Sequence, residues 1–196
     1  FTPTKIFDCV LDLLPSAKPM KQRAPVHFHA GTAETEAEVR LKEGTRLQPG
    51  TRGYVRLVLR EPLLLLPGDR FILRMFSPVV TIAGGTVLDA APPRKAAVER
   101  WGILETATWP ERLALLVREA RWGMGWPQLE ARTGLTLKAI TAALQQSGLI
   151  LLEEQQWAID KPAFQAAQDK LKAMLAAFHK ANPLQPGMSK EDLRSR

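Results

Sequence analysis

The hydrophobic periodicity of the chain changes once, near residue 90, and this change limits the possible folds more than any other feature. Before it, apolar residues alternate with polar ones, as in the run from Lys5 to Leu13. After it, apolar residues recur every three to four positions, as from Leu113 to Ala120. The first period is typical of strands with one buried face and the second of amphipathic helices. The sequence therefore predicts a β unit followed by a mostly helical one.

The first 90 residues are predicted to form a small antiparallel barrel. In the first strand, alternation places Phe7 and Cys9 inside and Asp8 and Asp12 outside. Similar patterns follow at 36–41, 52–60, 71–75 and 79–87, and the turn sequences Pro49–Gly50 and Pro67–Gly68–Asp69 separate some of them. About six strands without a helical period between them favour a barrel.

The residues after 90 are predicted to form a linker and then winged-helix units. Residues 91–107 form the linker and a helix, and residues 108–160 form the first unit, which begins with a Thr108–Glu111 capping box. Three helices, the third with Leu137 facing inward, precede two short strands at 149–152 and 157–159. This order is the winged-helix arrangement. Residues 161–196 are predicted to begin a second, incomplete unit, with an Asp160 cap and the apolar positions Phe164, Leu171, Leu175 and Phe178.

Composition favours a polyanionic partner and excludes several other classes. The 27 basic residues outnumber the 20 acidic ones, which gives a net charge of +7. Cys9 is the only cysteine, so a disulfide framework and a cysteine zinc site within one chain are excluded, and a reducing cytoplasm fits best. No apolar run approaches the roughly 18 residues of a membrane helix, so no membrane partner is predicted. The absent initiator Met and the C-terminal sequence SKEDLRSR suggest a piece of a longer protein.

The sequence contains no recognisable catalytic apparatus. It lacks GxxxxGK[ST] and HExxH, so neither a nucleoside triphosphate nor a helix-borne zinc is expected. His27 and His29 share one face of a strand, but a metal would need Glu34 or Glu36 as a further ligand, and surface histidines are the simpler interpretation. We therefore predict no metal site, no catalytic residue and no enzymatic activity in this chain.

The outward face of the strand at 52–60 is the first candidate binding surface. It carries Arg52, Tyr54, Arg56 and Arg60. Guanidinium groups suit phosphate geometry, and Arg46 in the preceding loop extends the patch. A solvated strand face whose arginines pair with Glu36 and Glu38 is the alternative, which composition alone favours.

Two further features remain open. Gly84 and Gly85 interrupt a strand, which permits either the close approach of another backbone or a barrel corner. The third helix of the winged unit, from Thr136 to Gln146, has Lys138 as its only charge, and this argues against specific binding of duplex DNA. The five tryptophans near this unit are predicted to serve core and interdomain packing.

Three motifs in the barrel and a fourth near the C-terminus resemble those of the bacterial selenocysteine-specific elongation factors, the SelB family. Residues 29–34 (HAGTAE) and 67–74 (PGDRFILR) match its segments, and 81–89 (TIAGGTVLD) matches except for Ala83, where the family usually has glycine. Residues 178–194 resemble the opening of the next winged-helix unit. Elongation factor Tu is a more distant relative.

The resemblance implies the translation-factor domain III type of barrel and the beginning of the C-terminal arm. Proteins of this family resemble GTPases that deliver selenocysteyl-tRNA to the ribosome at UGA codons. The GTPase domain, with GTP and Mg²⁺, would precede Phe1, and the units that hold the mRNA hairpin would follow Arg196. No cofactor is then expected in this chain.

The implied partners are the selenocysteine tRNA, the ribosome, the GTPase domain of the same protein and, through later units, the mRNA hairpin. The third domain of such factors supports the tRNA T-arm. The matching positions here are Arg52, Tyr54, Arg56, Gly84 and Gly85, which the resemblance implies as backbone contacts. A DNA-binding winged-helix transcription regulator with a β-barrel domain is the alternative, and an enzyme ranks third.

Overall fold

The computed structural model describes residues 1–194 and begins with a closed antiparallel barrel. The strands of this part are β1 (Thr4–Leu13), β2 (Met20–Lys21), β3 (Pro25–Ala30), β4 (Ala33–Leu41), β5 (Arg46–Leu47), β6 (Arg52–Leu63), β7 (Arg70–Arg74) and β8 (Thr81–Asp89). Six of them close the barrel in the order β1-β6-β4-β3-β7-β8, while β2 and β5 pair as a separate ribbon. The six-stranded prediction is confirmed; the ribbon was not predicted.

The alternating pattern of β1 fills the barrel as expected, with one exception. Phe7, Cys9, Leu11 and Leu13 are buried, and the Phe7 ring lies 5.5 Å from that of Phe28. Asp8 was predicted to face solvent, and this is wrong: the residue is 0% exposed. It does point away from the barrel interior, but the helical part of the chain covers that side.

A winged helix follows the barrel. Its elements are α1 (Glu99–Thr106), α2 (Trp109–Glu119), β9 (Met124–Gly125), α3 (Trp126–Thr133), α4 (Leu137–Gln145), β10 (Ile150–Leu152) and β11 (Trp157–Ile159). The Thr108–Glu111 capping box is present, and Gly134 ends α3 in the left-handed conformation. The three helices α2 to α4 and the β10–β11 hairpin confirm the winged-helix prediction. A third strand, β9, joins the hairpin in the order β10-β11-β9 and was missed.

Two predictions for the packing of this unit are wrong. Leu137 was expected to face inward but is 42% exposed, because it occupies the first position of α4, ahead of the buried Ile140, Ala143 and Leu144. Trp122 was expected in the core but is half-exposed, since it lies in the turn before β9. Trp101 is buried as predicted and joins the two parts of the chain.

The last elements are α5 (Lys161–Ala181) and α6 (Lys190–Arg194). Asp160 stands at the N-cap position of α5, but its carboxylate pairs with Arg118 and makes no cap hydrogen bond. No residue of α5 is buried, including the four apolar positions singled out from the sequence. Ser189 and Asp192 form a cap at the start of α6: the Ser189 hydroxyl donates to the Asp192 carboxylate and accepts from the Asp192 amide. The predicted second unit extends to residue 196, and its last two residues lie outside the described range. Within residues 1–194, no helix is long and apolar enough to cross a membrane.

Candidate functional site

The linker and α1 cover the middle of the outward face of β6, at Tyr54 and Arg56, while Arg52 and Arg60 stay exposed. Arg56 was predicted to face solvent, but it is 8% exposed. Its Nε lies 2.7 Å from Asp8 Oδ1 and its Nη2 lies 3.0 Å from Asp8 Oδ2. The same guanidinium donates to the carbonyl oxygens of Pro93 and Arg94. All three nitrogens of the Arg56 guanidinium therefore donate hydrogen bonds within the chain.

Arg52 and Tyr54 converge on one carboxylate of α1. The Tyr54 hydroxyl donates to Glu105 Oε2 at 2.5 Å, and Arg52 hydrogen-bonds to Oε1. The hydrogen bond to Glu105 and partial burial raise the pKa of Tyr54 to about 12. The Arg52 side chain is 55% exposed, so its guanidinium also meets solvent. The alternative of a solvated strand face expected the β6 arginines to pair with Glu36 and Glu38. Of these arginines, only Arg60 does so, with its Nη1 3.1 Å from Glu36 Oε1.

A buried group of charges, the interdomain charge cluster, joins the barrel to the winged helix. Its members are Asp8, Arg56, Asp89, Arg100, Glu119 and Arg132. Arg100 is 3% exposed and contacts the carboxylates of Asp8, Asp89 and Glu119. Arg132 Nη2 lies 2.8 Å from Asp89 Oδ2 and 3.3 Å from Glu119 Oε2.

The opposite charges around Asp89 and Arg100 favour the ionised form of both groups despite burial. Burial acts to raise the pKa of Asp89, but the hydrogen bonds and charge of Arg132, together with the charge of Arg100, outweigh it and leave that pKa below its usual value. Burial likewise acts against the charge of Arg100, yet Glu119 and Asp89 raise its pKa overall. Pairing offsets the cost of burying charge in this way when the hydrogen bonds are well made.

Gly84 and Gly85 lie inside β8, and their surroundings differ. A Cβ at Gly85 would come within 2.4 Å of Phe71 Cζ and 2.5 Å of the Val10 carbonyl oxygen, so this glycine serves barrel packing. A Cβ at Gly84 would meet nothing closer than the Phe71 carbonyl oxygen at 3.8 Å. Because both belong to a strand rather than to a loop before a helix, they do not form a phosphate-binding cradle, and the residues here do not fit a nucleoside triphosphate.

His27 and His29 lie next to Glu34, as their strand pairing allows. His27 Nδ1 is 3.4 Å and His29 Nε2 is 3.8 Å from Glu34 Oε1. The His27 ring packs on Phe76 with 4.1 Å between centroids. In the described part of the chain, no group of three or more ligating side chains has the geometry to hold a metal ion.

A basic surface that the sequence reasoning largely missed lies at one end of the barrel. It consists of Lys18, Lys21, Arg23 and Arg46, and we call it the basic barrel end. Lys21 and Arg46 are directly opposed in the β2–β5 ribbon, so their side chains share one face. The neighbouring pair, Met20 and Leu47, packs on the barrel core. The basic face of the ribbon therefore points outward.

All four basic side chains are exposed and free of acidic partners. Each belongs to an exposed residue, and none forms an ion pair with any residue from 1 to 194. Arg52 lies at the same end, because Arg52 and Gly84 both pair with Asp12 at the end of β1. Of the sequence candidates, the structure thus brings Arg46, Arg52 and Gly84 to this end and places Arg56 in the interdomain charge cluster.

The winged helix offers a much weaker basic surface. On α4, Lys138 is exposed beside Leu137, Gln145 and Gln146, and no other charge lies on that helix. The wing at 153–156 carries two glutamates. A helix that enters a DNA groove needs cations for the phosphates on both sides. Of these two surfaces, the basic barrel end therefore carries more exposed cations than α4.

Comparison with known proteins gives matches along the whole chain. The family model described as "Selenocysteine-specific elongation factor, beta-barrel domain" matches residues 7–94, and "Elongation factor SelB, winged helix" matches residues 172–196. The selenocysteine-specific elongation factor of Desulfomicrobium baculatum is 30% identical over 98% of this chain and 32% of its own length. That of Escherichia coli K12 is 26% identical over 98% of this chain and 30% of its own length. The chain spans about a third of the length of these relatives.

Proposed function

Because the chain belongs to the SelB family of selenocysteine-specific elongation factors, we propose that it takes part in bringing selenocysteyl-tRNA to the ribosome at UGA codons. Its barrel supports the tRNA T-arm. Its winged helix and α5 connect the barrel to the units that hold the mRNA hairpin. In this proposal the chain is non-catalytic, and GTP and Mg²⁺ bind in a part of the relatives that it does not span.

The basic barrel end is the observation that carries this proposal. Lys21 and Arg46 present two cations side by side, with Lys18 and Arg23 next to them on the flanking segment. Unpaired cations at the end of a rigid barrel suit the sugar-phosphate backbone of an RNA helix. Such contacts add affinity and fix orientation without reading the sequence. That is the task of a domain that supports a tRNA stem.

The proposed contact set differs from the one that the resemblance implied. We retain Arg46 and Gly84, which lie at the basic barrel end and are accessible, and Arg52, which pairs with Asp12 and Glu105 but keeps a side chain that is 55% exposed. Lys18, Lys21 and Arg23 join them. We assign Arg56 and Gly85 to the internal structure, and Tyr54 to the contact with Glu105, because these groups already have partners within the chain.

A salt titration of binding to labelled selenocysteine tRNA tests the proposal, with an elongator tRNA, the mRNA hairpin and duplex DNA measured beside it. We expect tRNA binding that weakens steeply with salt. In the double variant Lys21→Ala/Arg46→Ala, affinity falls, and the slope of log K against log salt becomes shallower by about 0.7–0.9 per lost phosphate contact. Lys138→Ala on α4 is the matched control and leaves both quantities unchanged.

Two results would reject the proposal. Preference for duplex DNA, with binding lost in Lys138→Ala, would transfer the function to the winged helix and support a DNA-binding regulator, which the family matches do not favour. Equal affinity and slope in the wild type and the double variant would exclude the basic barrel end as the phosphate surface.

A further inference from the structure

We propose that the barrel and the winged helix form one rigid body held together by Arg100, and that the first joint of the arm lies after Ile159, where α5 begins. The inference concerns the mechanics of the chain and does not depend on which RNA the barrel binds. Four observations carry it.

The first observation is that residues of the barrel strands belong to the apolar core of the winged helix. Val10 and Leu88 belong to barrel strands but point away from the barrel interior. They pack in the same buried cluster as Trp101 and Leu104 of α1 and the inner residues of α2 to α4. The core of the winged helix is therefore continuous with the outer face of the barrel, and separating the parts would expose apolar surface on both.

The second observation is the position of Arg100 at the centre of the interdomain charge cluster. Its side chain is 2% exposed and meets carboxylates from three different elements: Asp8 on β1, Asp89 on β8 and Glu119 on α2. A planar guanidinium that satisfies carboxylates on both sides of an interface fixes their relative orientation. Rotation of the winged helix would leave at least one buried carboxylate unpaired, which is strongly unfavourable.

The third observation is that the linker itself is fixed. Arg56 holds the carbonyl oxygens of Pro93 and Arg94 at 2.9 and 3.2 Å, and the Ala91 amide donates to Asp89 Oδ1 at 2.9 Å. These bonds attach residues 91–94 to the barrel surface. A sequence such as APPRK predicts a spacer, but here it is part of the interface.

The fourth observation is the contrast with α5. This helix of 21 residues has no buried residue, whereas the interface between the barrel and the winged helix has many. The ion pair between its N-cap residue Asp160 and Arg118 joins side chains that are 21% and 59% exposed. Exposed pairs of this kind contribute little to orientation or stability. The orientation of α5 is therefore much less constrained than that of the winged helix.

The consequence is a division of the arm into a fixed and a variable part. Any force that acts on the winged helix is transmitted to the barrel without a change of angle between them. Reorientation of later parts of the arm relative to the barrel takes place at or after residue 160. A bound RNA on one side of this joint and a contact on the other can then be accommodated without breaking the interdomain charge cluster.

Distance distributions between spin labels on the chain test the proposal. One pair, Thr32→Cys with Glu154→Cys, spans the barrel and the wing, and the other, Thr32→Cys with Lys180→Cys, spans the barrel and α5. All three positions are exposed, whereas the natural Cys9 is buried and its pKa is raised, mainly by burial and then by Asp8, so it labels poorly. We expect a single narrow peak for the first pair, unchanged at roughly 1 M NaCl, where the Debye length is about 3 Å. The second pair gives a broad distribution.

Substitutions of single arginines test whether Arg100 fixes the orientation of the winged helix on the barrel. Arg100→Ala is expected to abolish the single narrow peak of the first pair, while Arg118→Ala, an arginine on the same winged helix, leaves it unchanged. A broad first-pair distribution in the unsubstituted chain would overturn the rigid body. A narrow one in folded Arg100→Ala would overturn the role of Arg100. If Arg100→Ala does not fold, Arg100→Lys tests the role of Arg100, because lysine keeps the positive charge but lacks the forked guanidinium. A first-pair distance distribution as narrow in Arg100→Lys as in the unsubstituted chain would reject the role of the guanidinium.

Discussion

At the scale of single residues, Arg100 should dominate the stability of the interface. Replacing it by alanine removes one charged partner from each of the buried carboxylates Asp8 and Asp89, which keep Arg56 and Arg132, respectively. Removing one member of a buried ion pair typically costs about 3–5 kcal/mol. We therefore expect Arg100→Ala to lower the free energy of unfolding by about this amount in urea denaturation.

Arg118→Ala is the control for this stability measurement. Arg118 is more than half-exposed, and the ion pair that it forms with Asp160 is also near solvent. Exposed pairs contribute about 0–1 kcal/mol, so the expected loss is small. Similar losses for the two variants would contradict the central position of Arg100 in the charge cluster.

Tyr54 provides a direct optical test of the contact between β6 and α1, because it is the only tyrosine in the chain. The hydrogen bond to Glu105 raises its pKa to about 12 from 10.0. Since the pKa is raised on folding, this contact stabilises the protein fully below pH 10 and the contribution is lost as the pH rises through 12. We expect phenolate absorbance, read immediately after rapid mixing, to show a midpoint near 12.

The carboxylate responsible for this shift can be checked by substitution on the same helix. In Glu105→Gln the negative acceptor is removed, and the phenolate midpoint should move down toward 10.0. Glu99→Gln, at the exposed start of α1, should leave it in place. A midpoint near 10.0 in the unsubstituted chain would show that the Tyr54–Glu105 contact does not form in solution.

These residues also show how far sequence reasoning reaches. Alternation correctly assigned Asp8, Tyr54 and Arg56 to the outer face of the barrel, because side chains on a strand alternate strictly. It could not show that α1, which begins only at Glu99, covers that face. Charged residues on an outer face are usually solvated, and here they are buried because Arg100 supplies the matching charge. A tertiary contact of this kind leaves no local periodic signal.

At the scale of secondary-structure elements, the two glycines of β8 should respond differently to substitution. Gly85→Ala places a methyl group within 2.4 Å of Phe71 Cζ and 2.5 Å of a backbone oxygen, so the strand or the ring must move. We expect a loss of about 1–3 kcal/mol, typical of overpacking, in thermal or urea unfolding. Gly84→Ala is the matched control, with nothing nearer than 3.8 Å, and should change stability little. Equal losses would contradict the close packing at Gly85.

The secondary-structure elements differ in how well they can be predicted from the sequence. The helices α2, α3 and α4 were predicted because capping residues, apolar stripes and terminal glycines agree there. The strands β2, β5 and β9 have two residues each, which is too short for any period to be visible. The basic barrel end was missed for the same reason, since its geometry depends on the β2–β5 pairing. The signal available in the sequence was the group Lys18, Lys21 and Arg23 in a short segment that contains no acidic residue.

At the scale of the whole molecule, the structure has two buried apolar clusters, one inside the barrel and one in the winged helix. They are linked through Val10 of β1, whose chain neighbours Cys9 and Leu11 belong to the first cluster while Val10 itself belongs to the second. One strand thus contributes to both cores. Unfolding either cluster removes a strand face that the other requires, so the two should lose structure together.

This coupling predicts a single cooperative unit in native-state hydrogen exchange. Amides in the barrel strands and in α2 to α4 should exchange with the same highest free energy, through global unfolding. Amides of α5 should exchange much faster, because a helix without buried residues is marginal in water. In Arg100→Ala the unit should divide, so that winged-helix amides lose protection before those of the barrel. Separate free energies for the two parts in the unsubstituted chain would show that the shared core does not couple them, whereas a common value that survives Arg100→Ala would assign the coupling to apolar contacts alone.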